Sequence, residues 1–177
     1  TQNKMTVSEV VLPDRRYSLE EAAGEHGGNA DLGLLLLAGT LCNDAALDEN
    51  AGNGILGDPT EGALVLAARQ AGLVQRDLQT LLPRVRELPF DSERKRMSTV
   101  HTLPASSRGT GLHPVLAEAG HEGRAGHLVL TKGATDGLIE VCGRILTNGA
   151  VERLSEERKG EISAENTALA KSGVRVL

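Results

Sequence analysis

The sequence predicts an α+β domain, a mostly antiparallel, twisted sheet flanked by helices. Three observations predict it. Two runs rich in β-formers, Val85 to Phe90 and Met97 to Leu103, adjoin across a short charged turn. One helix carries start and stop signals, between Asp58 and Gly72, and a second, from Ser155 to Ser172, is stopped by Gly173. Asn148-Gly149 marks a hairpin between two short strands.

Taken in order, Met5 to Leu12 reads as a strand ended by Pro13-Asp14, and Leu32 to Cys42 reads as a buried helix. The polar stretch Asn43 to Gly57 reads as a loop. Asp58 is placed to cap the next helix, with Pro59 at the first helical position and Glu61 completing a capping box. Ala63, Leu64, Ala67, Ala68 and Ala71 give that helix one apolar side before Gly72 stops it. The strands Val85 to Phe90 and Met97 to Leu103 follow, joined by the turn Asp91 to Arg96. Pro104 to Gly126 is rich in Gly, Ser and His without periodicity, so 104–126 is expected to be a mobile insertion. His127 to Lys132 reads as a strand, and Gly133-Ala134 leads into a helix from Thr135 to Cys142. The hairpin spans Arg144 to Arg153. A polar-faced helix from Ser155 to Ser172 turns Ile162, Leu169 and Ala170 inward, and Val174 to Leu177 reads as a last strand.

The 177 residues are 40% hydrophobic and 24% charged, the balance of a globular chain able to build a core without metal or disulfide. We therefore read 1–177 as one domain. Tyr17 and Phe90 are the only aromatics, so the core is expected to be aliphatic. A net charge of -5 argues against non-specific binding to nucleic acid or to an anionic membrane. Cys42 and Cys142 make no metal-ligand spacing and are expected to be reduced, buried thiols of a cytoplasmic protein. The apolar run Leu32 to Leu41 is only about half the length of a bilayer span. The chain starts without Met and stops in strand-like residues, so both ends are read as lying inside a longer protein.

Phe90 is followed directly by Asp91-Ser92-Glu93-Arg94-Lys95-Arg96. An aromatic beside cations is what a nucleotide base and its phosphates require, for stacking and for charge balance. The alternative, which composition alone favours, is a core Phe ending a strand before a solvated turn. Thr131-Lys132-Gly133-Ala134 places a Lys at the end of an apolar strand, where Gly133 permits close approach of backbone or ligand. The alternative is a Lys snorkelling into solvent. Glu61 offers a carboxylate to an adenine amino group, or serves only the helix cap. No GxxxxGK[ST] or GxGxxG loop occurs, so a phosphate site here is built differently. His26, His101, His113, His121 and His127 have no ligand spacing, and no Ser or Cys sits in a nucleophile setting.

Five internal blocks, taken together, carry a family resemblance. They are Cys42-Asn43-Asp44; Gly57-Asp58-Pro59-Thr60-Glu61-Gly62-Ala63-Leu64; Leu88 to Ser98; Lys132-Gly133-Ala134; and Gly173-Val174-Arg175-Val176-Leu177. Thr1 to Thr6 resembles the stretch directly after the phosphorylation motif of P-type ATPases, DKTGTLTQNKMT. The blocks follow the family's order nearly end to end, and the chain resembles the nucleotide-binding domain of a P-type cation pump, in wording closest to bacterial calcium-type pumps.

The resemblance implies that Phe90 stacks on adenine and that Glu61 contacts the base edge, with Thr60 beside it. Lys132 and Gly133 line the depth of the pocket and Lys95 its wall. Arg175 approaches the phosphates, and Leu177 packs near base or ribose. Calcium pumps of the animal reticulum carry Arg where this chain has Ser92, so a phosphate contact there falls to Arg94, Arg175 or elsewhere. Thr135-Asp136 stands where Pro-Glu more often follows the Ala. The implied reaction is phosphoryl transfer from ATP, as its Mg²⁺ complex, to an Asp of a neighbouring phosphorylation domain. Both that Asp and the Mg²⁺-binding motif would lie outside this chain, with 1–12 and 174–177 as strand or hinge segments leading to it. The implied partners are ATP and the phosphorylation and actuator domains of a membrane pump. The fragment is expected to be a monomer that binds ATP without turnover and touches neither membrane nor nucleic acid. The competing reading is a regulatory or structural module of the same fold that has lost nucleotide binding.

Overall fold

All strand pairings among the described residues of the computed structural model are antiparallel. The structure describes residues 5–25, 28–48, 54–104, 114, 116 and 126–177. Most of the stretch read as an insertion, and Thr1 to Lys4 of the first family-like segment, lie outside them.

The chain enters through the hairpin β1 (Glu9–Val11) and β2 (Arg16–Ser18), followed by the short helix α1 (Leu19–Glu25). Helix α2 (Ala30–Leu41) is central. Asn29 caps it by accepting from Leu32 N at 3.1 Å and donates through Nδ2 to the Tyr17 hydroxyl at 2.8 Å. Leu32 and Leu36 pack on one side with Val10, Leu12, Tyr17, Ala22, Ala67 and Ala68. Leu37 and Leu41 pack in a second core with Leu78, Leu82, Met97, Leu103 and Leu130. A helix covered on two sides has no apolar stripe to display, which is why its sequence is hydrophobic nearly throughout. Tyr17 belongs to the first core at 2% exposure, a correction to the expected wholly aliphatic interior; its hydroxyl is tolerated because Asn29 satisfies it.

A small pair, β3 (Ala46–Leu47) with β4 (Ile55–Leu56), interrupts the segment read as loop. Then comes α3 (Pro59–Gln70), started as expected by Asp58, whose Oδ1 accepts from Thr60 N at 2.8 Å and Glu61 N at 3.2 Å. Helix α4 (Gln75–Leu81) leads into the three-stranded sheet of β5 (Arg84–Asp91), β6 (Arg96–Leu103) and β7 (Gly126–Gly133), with β6 in the middle. One face of β6, Met97, Thr99, His101 and Leu103, is buried against α2 and α4. Leu116 also packs into this core, although the sequence places it inside the insertion.

The helix expected from Thr135 to Cys142 is shorter, α5 (Thr135–Ile139). Ala134 cannot cap it and Gly137 weakens it, so it ends in a turn. The hairpin β8 (Arg144–Thr147) and β9 (Ala150–Arg153) turns through Asn148 at φ 51° and Gly149 at φ 77°. Gly149 N donates to the buried Asp31 carboxylate and so docks this hairpin on α2. Helix α6 (Glu156–Lys171) is capped by Ser155; Ile162 and Leu169 are half-buried, but Ala170 faces water, contrary to expectation. Val174 to Leu177 forms no strand, because no neighbouring strand offers it a ladder among the described residues. Cys42 is buried and Cys142 exposed, both free thiols, so the second thiol differs from the expected burial.

Candidate functional site

Strand β5 is an edge strand, which lets it hold Pro89 without losing a ladder hydrogen bond. Its register with β6 shifts between Leu88↔Ser98 and Asp91↔Arg96, and Pro89-Phe90 is where it shifts. Phe90 comes out at the level of Met97, which pairs with Lys132 across β6 and β7. Two strand spacings put the Phe90 and Lys132 backbones about 10 Å apart. The Phe90 ring is 65% exposed, so it is not a core residue ending a strand.

The turn after Phe90 is built by Asp91. Its Oδ1 accepts from Arg94 N at 2.8 Å and Glu93 N at 3.0 Å. The Arg94 N–H above all, helped by Glu93 and the Arg94 charge, holds the Asp91 carboxyl below its ordinary pKa. Arg94 Nη2 returns to Pro89 O at 3.1 Å. Lys95 closes the turn with φ 51°, a left-handed conformation rare for a residue with a side chain. Its carbonyl accepts from Ala134 N at 3.0 Å. A Cβ on Gly133 would lie 2.3 Å from that same carbonyl and 2.6 Å from Arg96 Cβ. Glycine is required there because β6 and β7 meet backbone to backbone at the site.

Lys132 does not snorkel outward. Its Nζ turns into the fold, donating to the Cys42 carbonyl, to Glu61 Oε1 at 2.5 Å and towards Met97 Sδ at 3.3 Å. Both side chains of this ion pair are more than four-fifths covered. Glu61 Oε2 accepts from Asp44 N at 3.2 Å. The capping box is therefore corrected: the Glu61 carboxylate faces Lys132 and Asp44, because a cation is a stronger partner than the Asp58 amide.

Thr60, one residue earlier, faces the other way. Its Oγ1 accepts from Arg175 Nη1 at 2.8 Å and donates towards Met5 Sδ at 3.4 Å. Burial works to raise the neighbouring Asp58 pKa, but the Glu61 and Thr60 donors and the Arg175 charge outweigh it and lower it. Thr60, Lys132, Arg175 and Leu177 border a groove of about 920 Å³ between β1, α2, α3, α6 and 173–177; Phe90 and Glu61 do not line it. The first turn of α3 thus joins two clusters. Phe90, Arg94, Lys95, Lys132, Gly133 and Glu61 gather at the sheet end, and Thr60, Arg175 and Leu177 at the groove.

Sequence reasoning missed one charged residue here. Arg84 Nη1 donates to Asp44 Oδ1 at 2.7 Å and Glu87 Oε2 at 2.8 Å, while Nη2 reaches Leu41 O at 3.3 Å and the Asn43 carbonyl. Its partners at the end of α2 and just after it lie some forty positions away, beyond the reach of any spacing pattern. Among the described residues no group of three His, Cys, Asp or Glu side chains is placed to hold a metal ion. No helix among them is long and apolar enough to cross a membrane.

Comparison with known proteins places the chain in a family. Residues 31–177 match the family model described as P-type ATPase, cytoplasmic domain N. The whole chain is similar to part of "Calcium-transporting ATPase 1" of Bacillus cereus, at 36% identity over 17% of that protein. It is similar at 34% identity to 17% of "Calcium-transporting ATPase 1" of Lactococcus lactis subsp. lactis. It is also similar at 32% identity to 19% of "Probable cation-transporting ATPase F" of Mycobacterium tuberculosis. The chain spans less than a fifth of the length of these relatives. The α+β fold, the order of the sequence blocks and these matches agree: the chain belongs to the family of P-type ATPase cytoplasmic N domains.

Proposed function

We propose that this domain binds ATP for a cation pump of the calcium-transporting type, holding the nucleotide so that its γ-phosphate meets an aspartate of an adjacent phosphorylation domain. The observation that carries the reading is the exposed Phe90 ring, level with the Lys132–Glu61 pair on one sheet end. Leaving a Phe in water forgoes roughly 1.5–3 kcal/mol of burial, which a ligand's base can recover by stacking.

In this reading Phe90 stacks on adenine. Glu61 retains lone pairs for the base edge beyond those used by Asp44 and Lys132. Lys132 closes the depth of the pocket, Gly133 lets the strands meet closely enough to form it, and Lys95 and Arg94 flank it. Thr60 stands beside Glu61, Leu177 packs near the ribose, and Arg175 leaves Thr60 to meet phosphate. Mg²⁺ is assigned to the ATP phosphates, not to side chains of this chain. The domain supplies positioning, and the transfer chemistry belongs to the partner domain of the longer pump, on the cytoplasmic side of its membrane. Segments 1–12 and 174–177 are the connections to that partner.

The test is an ATP titration of the chain followed by amide resonances, with Phe90→Ala and Lys132→Ala alongside. Wild type is expected to saturate in the millimolar range without releasing phosphate. Phe90→Ala should weaken binding at least about fivefold, the lower end of one base-stacking contact. No shift near Phe90 or Lys132 at millimolar ATP would leave the alternative, a module of this fold without nucleotide binding.

A further inference from the structure

On the nucleotide-binding reading above, we propose that Arg84 is a positioning residue of the purine site, acting through residues 41–44 to set where Glu61 and Lys132 stand. Arg84 opens β5 with a guanidinium about three-quarters covered. Nη2 holds the carbonyls of Leu41 and Asn43, the first of which ends α2 and has no partner within the helix. Nη1 holds the carboxylates of Asp44 and Glu87. Partial burial works to lower the Arg84 pKa, but these two carboxylates outweigh it and raise it, so the cation is secure.

The same short segment faces the site with its other groups. The Cys42 carbonyl accepts from Lys132, and Asp44 N–H donates to Glu61 Oε2 at 3.2 Å. Between them, Asn43 is buried and donates through Nδ2 to Glu61 O at 2.9 Å and Gly39 O at 3.0 Å. Cys42 and Asp44 thus hold the two charged side chains and Asn43 the Glu61 backbone, while Arg84 holds Leu41, Asn43 and Asp44 from behind. Only a planar fork reaches two carbonyls and two carboxylates at once; a lysine presents one point charge.

The role separates from simple stability in base selectivity. If Arg84 sets the Glu61 carboxylate that reads the base edge, its loss must weaken binding of a purine with a 6-amino group more than of one with a 6-oxo group. The experiment titrates ATP and ITP into the wild-type chain, Arg84→Lys and Arg84→Met by amide resonances, with circular dichroism confirming the fold of each. Arg84→Met is expected to lose on the order of tenfold in ATP affinity, the scale of a charge-assisted contact, with ITP changed less than about twofold. Arg84→Lys should fall between, and it carries the test alone if Arg84→Met does not fold. An unchanged ATP-to-ITP ratio in both variants, or equal losses for both nucleotides, overturns the positioning role and leaves ATP binding intact. A wild type that binds ATP and ITP alike also overturns it, by removing base reading from Glu61. A wild type that binds neither nucleotide overturns the ATP-binding reading and this inference with it.

Discussion

Lys95 shows how one residue carries two demands. Its φ of 51° lets the turn close so that its carbonyl can accept from Ala134 N, a conformation glycine would adopt without steric cost. Lys95→Gly should therefore raise stability by about 0.5–1 kcal/mol, the left-handed penalty less the extra chain entropy of glycine. The same change should weaken ATP binding if the ammonium flanks the pocket. Denaturant unfolding and an ATP titration of one sample measure both, and a variant more stable with unaltered affinity would remove Lys95 from the site. At this scale the sequence was legible in types but not in directions. Phe90 next to cations stood out, yet only its 65% exposure separates a ligand platform from a core residue. Lys132 was visible as a strand-end cation, but its inward turn depends on Glu61, Cys42 and Met97, which come from three other parts of the chain. Arg84 stayed invisible for the same reason.

Helix α3 is the element through which stability and site meet. Asp58 satisfies two of the orphan amides of its first turn, and that turn carries Thr60 and Glu61. Asp58→Ala should cost about 1 kcal/mol of unfolding free energy in urea and lower ATP affinity as well, because both site residues lose their fixed start. Its lowered pKa gives the sign of the pH effect: the stabilisation is present above the ordinary carboxylate range and fades as pH falls through the folded value. A variant as stable as wild type would contradict the cap's role. Elements with such punctuation, α3, α6 and the Asn148-Gly149 hairpin, were readable in advance. Helices α1 and α4 and strand β2 were not, since each is short; the N-cap of α4, Val74, offers no side-chain cap. Their formation rests on tertiary burial, as of Ala22 and Leu78, which local sequence does not encode.

Across the whole molecule, α2 divides two cores, and the second encloses His101. Its Nδ1 lies 2.8 Å from Leu82 O and its Nε2 2.9 Å from Thr99 Oγ1. Burial, first, and the Arg84 charge hold its pKa below the ordinary value, against the Leu82 hydrogen bond. The unfolded chain then takes up the proton before the folded one. Stability is complete above about pH 6.5 and declines as pH falls from there towards the folded value. Thermal unfolding at pH 7.5 and pH 5.5 should show a drop for wild type and a smaller one for His101→Gln; equal drops would assign the sensitivity elsewhere. The antiparallel α+β architecture was legible from strand runs and turns. The double core was not, because a helix apolar on all sides does not say what covers each side. The Thr60 hydroxyl, shared by Met5 near the start of the chain and Arg175 near its end, has a last consequence. Met5 and Arg175 thus meet at one hydroxyl, so the domain between those two positions can be spliced into a surface loop of an unrelated host without prising that loop open.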